Sequence, residues 1–276
     1  MSHATLLSDN LMTILLLLRS RNMKNRGDMF RRQEPLPFGQ RRLLPGKALA
    51  AAIAILVIGT TVARRAIRVG ARHMKTAIVF DCEFLCIQGS QSRFWCAAID
   101  PDPVIAQIGA VRIGLEADFP VLETFKSYVT PVDRHGDRYA LDPYFTNLTG
   151  ITEEQIDEKG TSLYRALADV ETFSQGAKLW SWGKDELNMM AISCYIAGIS
   201  PPIPASRFDN AVKLLLAAGM PVEDLARTPS NRLADYYGVD HPVLKGHDAL
   251  DDALSVTYTL QYLLRSGKLL PSAFDR

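Results

Sequence analysis

Between Ala77 and Phe84 the chain reads Ala-Ile-Val-Phe-Asp-Cys-Glu-Phe. β-branched and aromatic residues run without a polar break until Asp81, which predicts a strand. Strand side chains alternate between faces. Ile78, Phe80, Cys82 and Phe84 therefore share one face, and Ala77, Val79, Asp81 and Glu83 share the other. A strand apolar on both sides belongs in the middle of a sheet, and this one ends in two carboxylates about 7 Å apart along one face. Ile105–Ile113 and Leu122–Val129 read as the second and third strands. Gly114, Glu116, Asp118 and Pro120 mark the turn between them, and so short a connection predicts antiparallel pairing. The loop from Leu85 to Pro103 is long for such a connection and is expected near the carboxylates. Phe94 and Trp95 within it read either as anchors packed on the core or as surfaces on which a base could stack.

Helical periodicity then takes over. Thr152-x-x-Gln155 is a capping box that opens a short helix. Leu163, Leu167, Val170 and Phe173 keep the spacing of a second helix packed on the sheet. Ala177–Trp182 reads as a fourth strand, broken by Gly183. A helix follows from about Lys184 to Ala197, with Leu187, Met190, Ala191 and Cys194 expected inward. Phe208–Ala218 and Asn231–Tyr237 read as further helices, with Gly219 and Gly238 as stops. The last helix runs from about Asp248 to Arg265. Ala249, Ala253, Val256, Leu260 and Leu263 form its apolar stripe. Asp252 falls on that stripe, whereas Asp248, Asp251 and Ser255 fall on the polar side. Three strands, helices, a strand and more helices predict an α/β fold with a mixed sheet flanked by helices.

Charge divides the chain of 276 residues in two. Before Met74 about 13 Lys and Arg face about 3 Asp and Glu; from Met74 onward acidic residues outnumber basic ones, although the whole chain sums to +1. An acidic body argues against a passive nucleic-acid binder, which needs cations for phosphates. It suits an enzyme that holds metal ions on carboxylates. Residues 48–63 are apolar and uncharged, with basic flanks, just short of the length that spans a bilayer. Three readings stay open for residues 1–73: a membrane anchor, a cleaved targeting segment, or a region outside the working protein, whose domain would start at Met74. The body itself is expected to be cytoplasmic, tethered to a membrane only if 1–73 persists. Cys82, Cys86, Cys96 and Cys194 show no zinc spacing and read as reduced thiols.

Alone, Asp81-x-Glu83 reads as two carboxylates at a solvated strand end. The rest of the chain shifts that reading. No Lys or Arg lies in the strand, so a divalent metal is the natural partner, and hard oxygen ligands suit Mg²⁺ or Mn²⁺. Asp252 is an aspartate turned inward. His247 stands just before the last helix, where a neutral imidazole can take a proton. Asp185 follows the Trp182-Gly183 break at a strand's carboxyl end, where ligands of open α/β sheets gather; Glu186 is its neighbour and the alternative for the same role.

Together these residues resemble the DEDDh exonucleases, the DnaQ-like branch of the ribonuclease H-like fold. The resemblance rests on Phe80-Asp81-Cys82-Glu83, Ile105–Val111, Trp182-Gly183-Lys184-Asp185 and His247-x4-Asp252-Ala253, and covers about residues 75 to 265. The loop between Glu83 and Ile105 is longer than is usual in that family. The resemblance implies 3′-to-5′ hydrolysis of DNA or RNA with release of nucleoside 5′-monophosphates. It implies two metal ions held by Asp81, Glu83, Asp185 and Asp252, His247 as general base, and Phe84 and Gln107 as substrate contacts. A non-catalytic nucleic-acid-binding module or a membrane-tethered scaffold on the same fold is the alternative.

Overall fold

The computed structural model describes residues 74–183 and 185–275. The readings made for residues 1–73, including the apolar run at 48–63, lie outside the described residues, as does Lys184. Among the described residues no helix is long and apolar enough to cross a membrane.

The strand that carries the two acids, β1 (Thr76–Phe84), lies inside a six-stranded sheet. It pairs antiparallel with β2 (Ile105–Gly114), which pairs antiparallel with β3 (Val121–Val129). Helices α1 (Pro143–Thr149) and α2 (Glu153–Lys159) follow. Two residues, β4 (Gly160–Thr161), then add parallel to β3 at the edge. After helix α3 (Leu163–Ser174), β5 (Leu179–Ser181) pairs parallel with the other side of β1. Helix α4 (Asp185–Ile196) leads to β6 (Phe208–Asn210), parallel to β5. The strand order is β4-β3-β2-β1-β5-β6. Short helices α5 (Val212–Ala217), α6 (Val222–Leu225) and α7 (Leu233–Tyr236) precede the long α8 (Ala249–Arg265). The capping box at Thr152 forms in both directions, at 3.2 and 3.0 Å.

The alternation along β1 builds two cores. Ile78, Phe80 and Cys82 pack with Leu163, Leu167 and Val170 of α3 and with Met190 and Cys194 of α4. Ala77 and Val79 pack with Val256, Leu260 and Leu263 of α8 on the opposite face. Each Val, Leu, Ile, Met or Phe side chain among them, fully buried, contributes roughly 1.5–3 kcal/mol. Asp81 and Glu83 continue the α8 face, so the helix that covers Val79 also roofs the acids.

What lets α8 come so close is Gly109 of β2, the pairing partner of Asp81. A Cβ there would sit 2.1 Å from the Leu250 nitrogen and 2.2 Å from the Ala249 carbonyl carbon. Two residues away, buried Gln107 accepts a hydrogen bond from the Ala249 N–H at 2.8 Å. Gln107 thus fastens the first turn of α8 to the sheet, satisfying an N–H that has no intrahelical partner.

Several elements differ from the sequence reading. The fourth strand is shorter than Ala177–Trp182. Phe208–Ala218 is not one helix: Phe208–Asn210 pairs with Leu179–Ser181 as a strand, and only Val212–Ala217 is helical. Pairing between distant segments overrides the local helical spacing there. Asn231–Tyr237 splits into a 3₁₀ turn, Ser230–Arg232, and α7. Ser255 is buried rather than on a polar face, because α7 packs over it and its Oγ accepts from the Ala234 N–H. In α4 the buried positions are Glu186, Met189, Met190, Ser193, Cys194 and Ile196, and Ala191 is exposed. The helix is therefore rotated by about one residue from the expected phase, which decides which acid it turns inward.

Candidate active site

Three separate elements bring four carboxylates to one cavity of about 410 Å³. β1 supplies Asp81 and Glu83, α4 supplies Glu186, and the first turn of α8 supplies Asp252. All four are less than a tenth exposed. Asp185 reaches the same cavity but is exposed, on the outward side of the α4 terminus. The acid that α4 turns against Asp81 is thus Glu186 and not Asp185. The charge of Glu186 is close enough to raise the Asp81 pKa.

Burial without a cation is costly for such a group. Burial first, then the charges of Glu186, Glu83 and Asp252, hold the Asp81 carboxyl well above the usual range. Burial, followed by the charges of Asp252 and Asp248, pushes Glu83 up to about 8 against the opposing pull of Lys245. Burial raises Glu186 and Asp252 to about 7 each. Asp252 is held down partly by hydrogen bonds from the His247 backbone and from Ser230. Two oxygens in this cluster, Glu186 Oε2 and Asp252 Oδ1, are buried with no hydrogen-bond partner. One ligand atom each from Glu83, His247 and Asp252 lies within 4.8 Å of the others. Self-repelling carboxylates with orphaned oxygens fit divalent cations, which bind such oxygens and remove the repulsion.

His247 precedes the α8 N-cap, Asp248, whose side chain accepts from the Leu250 and Asp251 N–H groups. Its backbone is left-handed, with φ +60°. The turn is fastened on both sides: the Lys245 N–H donates to Asp251 at 2.8 Å, and the Lys245 ammonium donates to the Thr149 carbonyl at 2.7 Å. Asp248 pairs with Lys126 of β3. Burial lowers the imidazole pKa, so His247 is neutral near pH 7.

Of the expected substrate contacts, Phe84 lines the cavity and Gln107 does not; Gln107 is committed to Ala249. The long loop after β1 does reach the site, through Gln91, Phe94 and Trp95. Sequence reasoning missed Ser230 and Asn231, which also line the cavity. They sit in a short 3₁₀ turn with no periodic signal around it.

Residues 78–189 match the RNase_T family model, described as exonuclease. No curated protein matches the chain in sequence. Among solved structures, the chain is similar to the nuclease domain of 3′hExo, a DEDDh family member bound to rAMP. That likeness has a TM-score of 0.57 at 19% identity, over 72% of this chain and 97% of that one. A 3′-exonuclease in a structure of 3′-end-specific recognition of a histone mRNA stem-loop gives 0.56 at 17%, over 76% and 72%. A full-length 3′-exonuclease gives 0.54 at 19%, over 71% of this chain and 62% of that one. Residues 78–189 are thus similar to the RNase_T exonuclease family, and the domain that holds them has the ribonuclease H-like fold of these exonuclease structures.

Proposed function

We propose that this domain is a divalent-metal-dependent 3′-to-5′ exonuclease, with residues 74–276 as its working unit, acting on single-stranded ends of DNA or RNA and releasing nucleoside 5′-monophosphates. The observation that carries this reading is the cluster of four buried, mutually repelling carboxylates around one cavity, with a neutral histidine among them. Asp81, Glu83, Glu186 and Asp252 are the residues that would hold two Mg²⁺ or Mn²⁺ ions. When bound, such ions supply a hydroxide nucleophile near neutral pH and neutralise the charge on the leaving oxygen. Asp185, on the exposed rim, is assigned no ligand role.

His247 does the proton chemistry. Its lowered pKa leaves the imidazole free to accept a proton at neutral pH, and its fastened turn holds the ring beside Glu83 and Asp252. Phe84, next to Glu83, gives the cavity an apolar wall for sugar or base. The 3′ direction draws support from the similar 3′-exonuclease folds, one of them bound to rAMP.

The test is digestion of a 5′-labelled single-stranded oligonucleotide by the full chain with Mn²⁺, with and without chelator. A chelator-sensitive ladder of shortened products that keep the label is expected. Release of the label as a mononucleotide would reverse the direction, and an intact oligonucleotide would remove the activity.

A further inference from the structure

The loop after β1 presents two adjacent aromatic residues, and the structure separates their roles. Trp95 is an anchor. Its indole N–H donates to the Leu85 carbonyl at 2.7 Å, and its ring packs on the core cluster around Phe145 and Ile151. Phe94 is not. It is 77% exposed, yet it lines the cavity that holds Asp81, Glu83 and His247.

The backbone under Phe94 is held in place. Asp100, whose side chain is wholly buried, accepts from Ser90 Oγ at 2.9 Å, from Arg93 Nε at 3.2 Å and from the Ala97 N–H at 2.9 Å. These bonds brace both sides of the short 3₁₀ turn Gln91–Arg93. Phe94 and Trp95 then follow with φ of +54° and +52°. Left-handed backbone costs a bulky L-residue roughly 1–2 kcal/mol, and Phe94 recovers none of that by burial. An apolar side chain held outward, over a cavity of carboxylates, by a braced loop is placed to meet an apolar face arriving with a polar ligand. Nucleobases on a phosphate backbone have that combination of chemistries.

Resting on the reading of the site as a nuclease, we propose that Phe94 is a substrate contact, a platform on which one base of the incoming single strand stacks. Every base has a π-face, so the contact tolerates sequence and acts on binding rather than on the bond broken. Trp95 does not share the role, because its ring and its N–H are already committed.

The experiment is steady-state kinetics of the full chain on a single-stranded oligonucleotide with Mn²⁺. Phe94→Ala is expected to raise KM about tenfold, in line with the loss of one base–aromatic stack, with kcat within about twofold. Phe94→Trp restores KM. Phe94→Leu, which keeps apolar bulk without a π-face, leaves it raised and serves the same comparison if the alanine variant folds poorly. An abasic residue walked through the last few 3′ positions should raise the wild-type KM at one position and add nothing to Phe94→Ala there. An active wild type whose KM is unmoved by Phe94→Ala and Phe94→Leu overturns this inference alone. A wild type that neither binds nor cuts overturns the reading of the site, and the inference with it.

Discussion

Replacing Asp252 with Asn should make the metal-free protein more stable while destroying its activity. Asp252 is raised by burial from an ordinary 3.8 to about 7. Each unit is about 1.4 kcal/mol, so ionising this carboxyl in the folded state costs on the order of 4 kcal/mol at pH 8. The sign follows from proton linkage. The folded state holds the proton more tightly than the unfolded chain, so stability falls as pH rises from about 4 to about 7, and the penalty is complete above that. Asparagine cannot ionise and escapes it. Its amide oxygen can still accept from the His247 N–H and from Ser230, so part of the gain, roughly 1 kcal/mol or more, survives the weaker hydrogen bonds of a neutral group. For a domain of about 200 residues that is a rise in Tm of at least about 2 °C. The assay is thermal unfolding with chelator at pH 8 and again at pH 4, where the two proteins should converge. Added Mg²⁺ or Mn²⁺ should raise the wild-type Tm and leave the variant behind. A variant that melts at or below the wild-type temperature at pH 8 with chelator would refute the electrostatic reasoning.

Three further predictions concern the same cavity. Glu186→Gln should abolish digestion and weaken Mn²⁺ binding in a calorimetric titration, whereas Asp185→Asn should leave both within a few-fold of wild type. His247→Ala should lower kcat by about 10²–10⁴ while Mn²⁺ still binds; wild-type turnover should stay level through neutral pH and fall only below about 6.5, because burial depresses the imidazole pKa. Gly109→Ala should cost about 1–3 kcal/mol or more, since the new methyl meets backbone of α8 that cannot rotate away; it should lower Tm by several degrees and remove activity together, and an unchanged Tm would contradict the close approach.

The parts of this site that were legible in the sequence are those set by local rules. Alternation along Ala77–Phe84 put Asp81 and Glu83 on one face, and the stripe of α8 put Asp252 inward; both are observed. Asp185 and Glu186 could not be separated because α4 carries apolar residues nearly all round, Leu187, Met189, Met190, Ala191 and Ile192 in close succession. Such a helix has no phase until something packs on it. The strand Phe208–Asn210 was hidden for a related reason: three residues become a strand only because Leu179–Ser181 lies alongside. Gln107 was placed at the substrate by the family resemblance, yet its side chain answers to a helix 142 positions away, a demand that no local pattern records.

That long-range tie has a bearing on how the protein is made. Asp81 and Glu83 leave the ribosome long before Asp252, and the helix that brings Asp252 cannot settle until Gly109 and Gln107 receive it. A chain interrupted short of α8 holds at most three of the four acids, Asp81, Glu83 and Glu186, and lacks Asp252. The four-carboxylate cluster is therefore complete only once the last long segment has been made and docked.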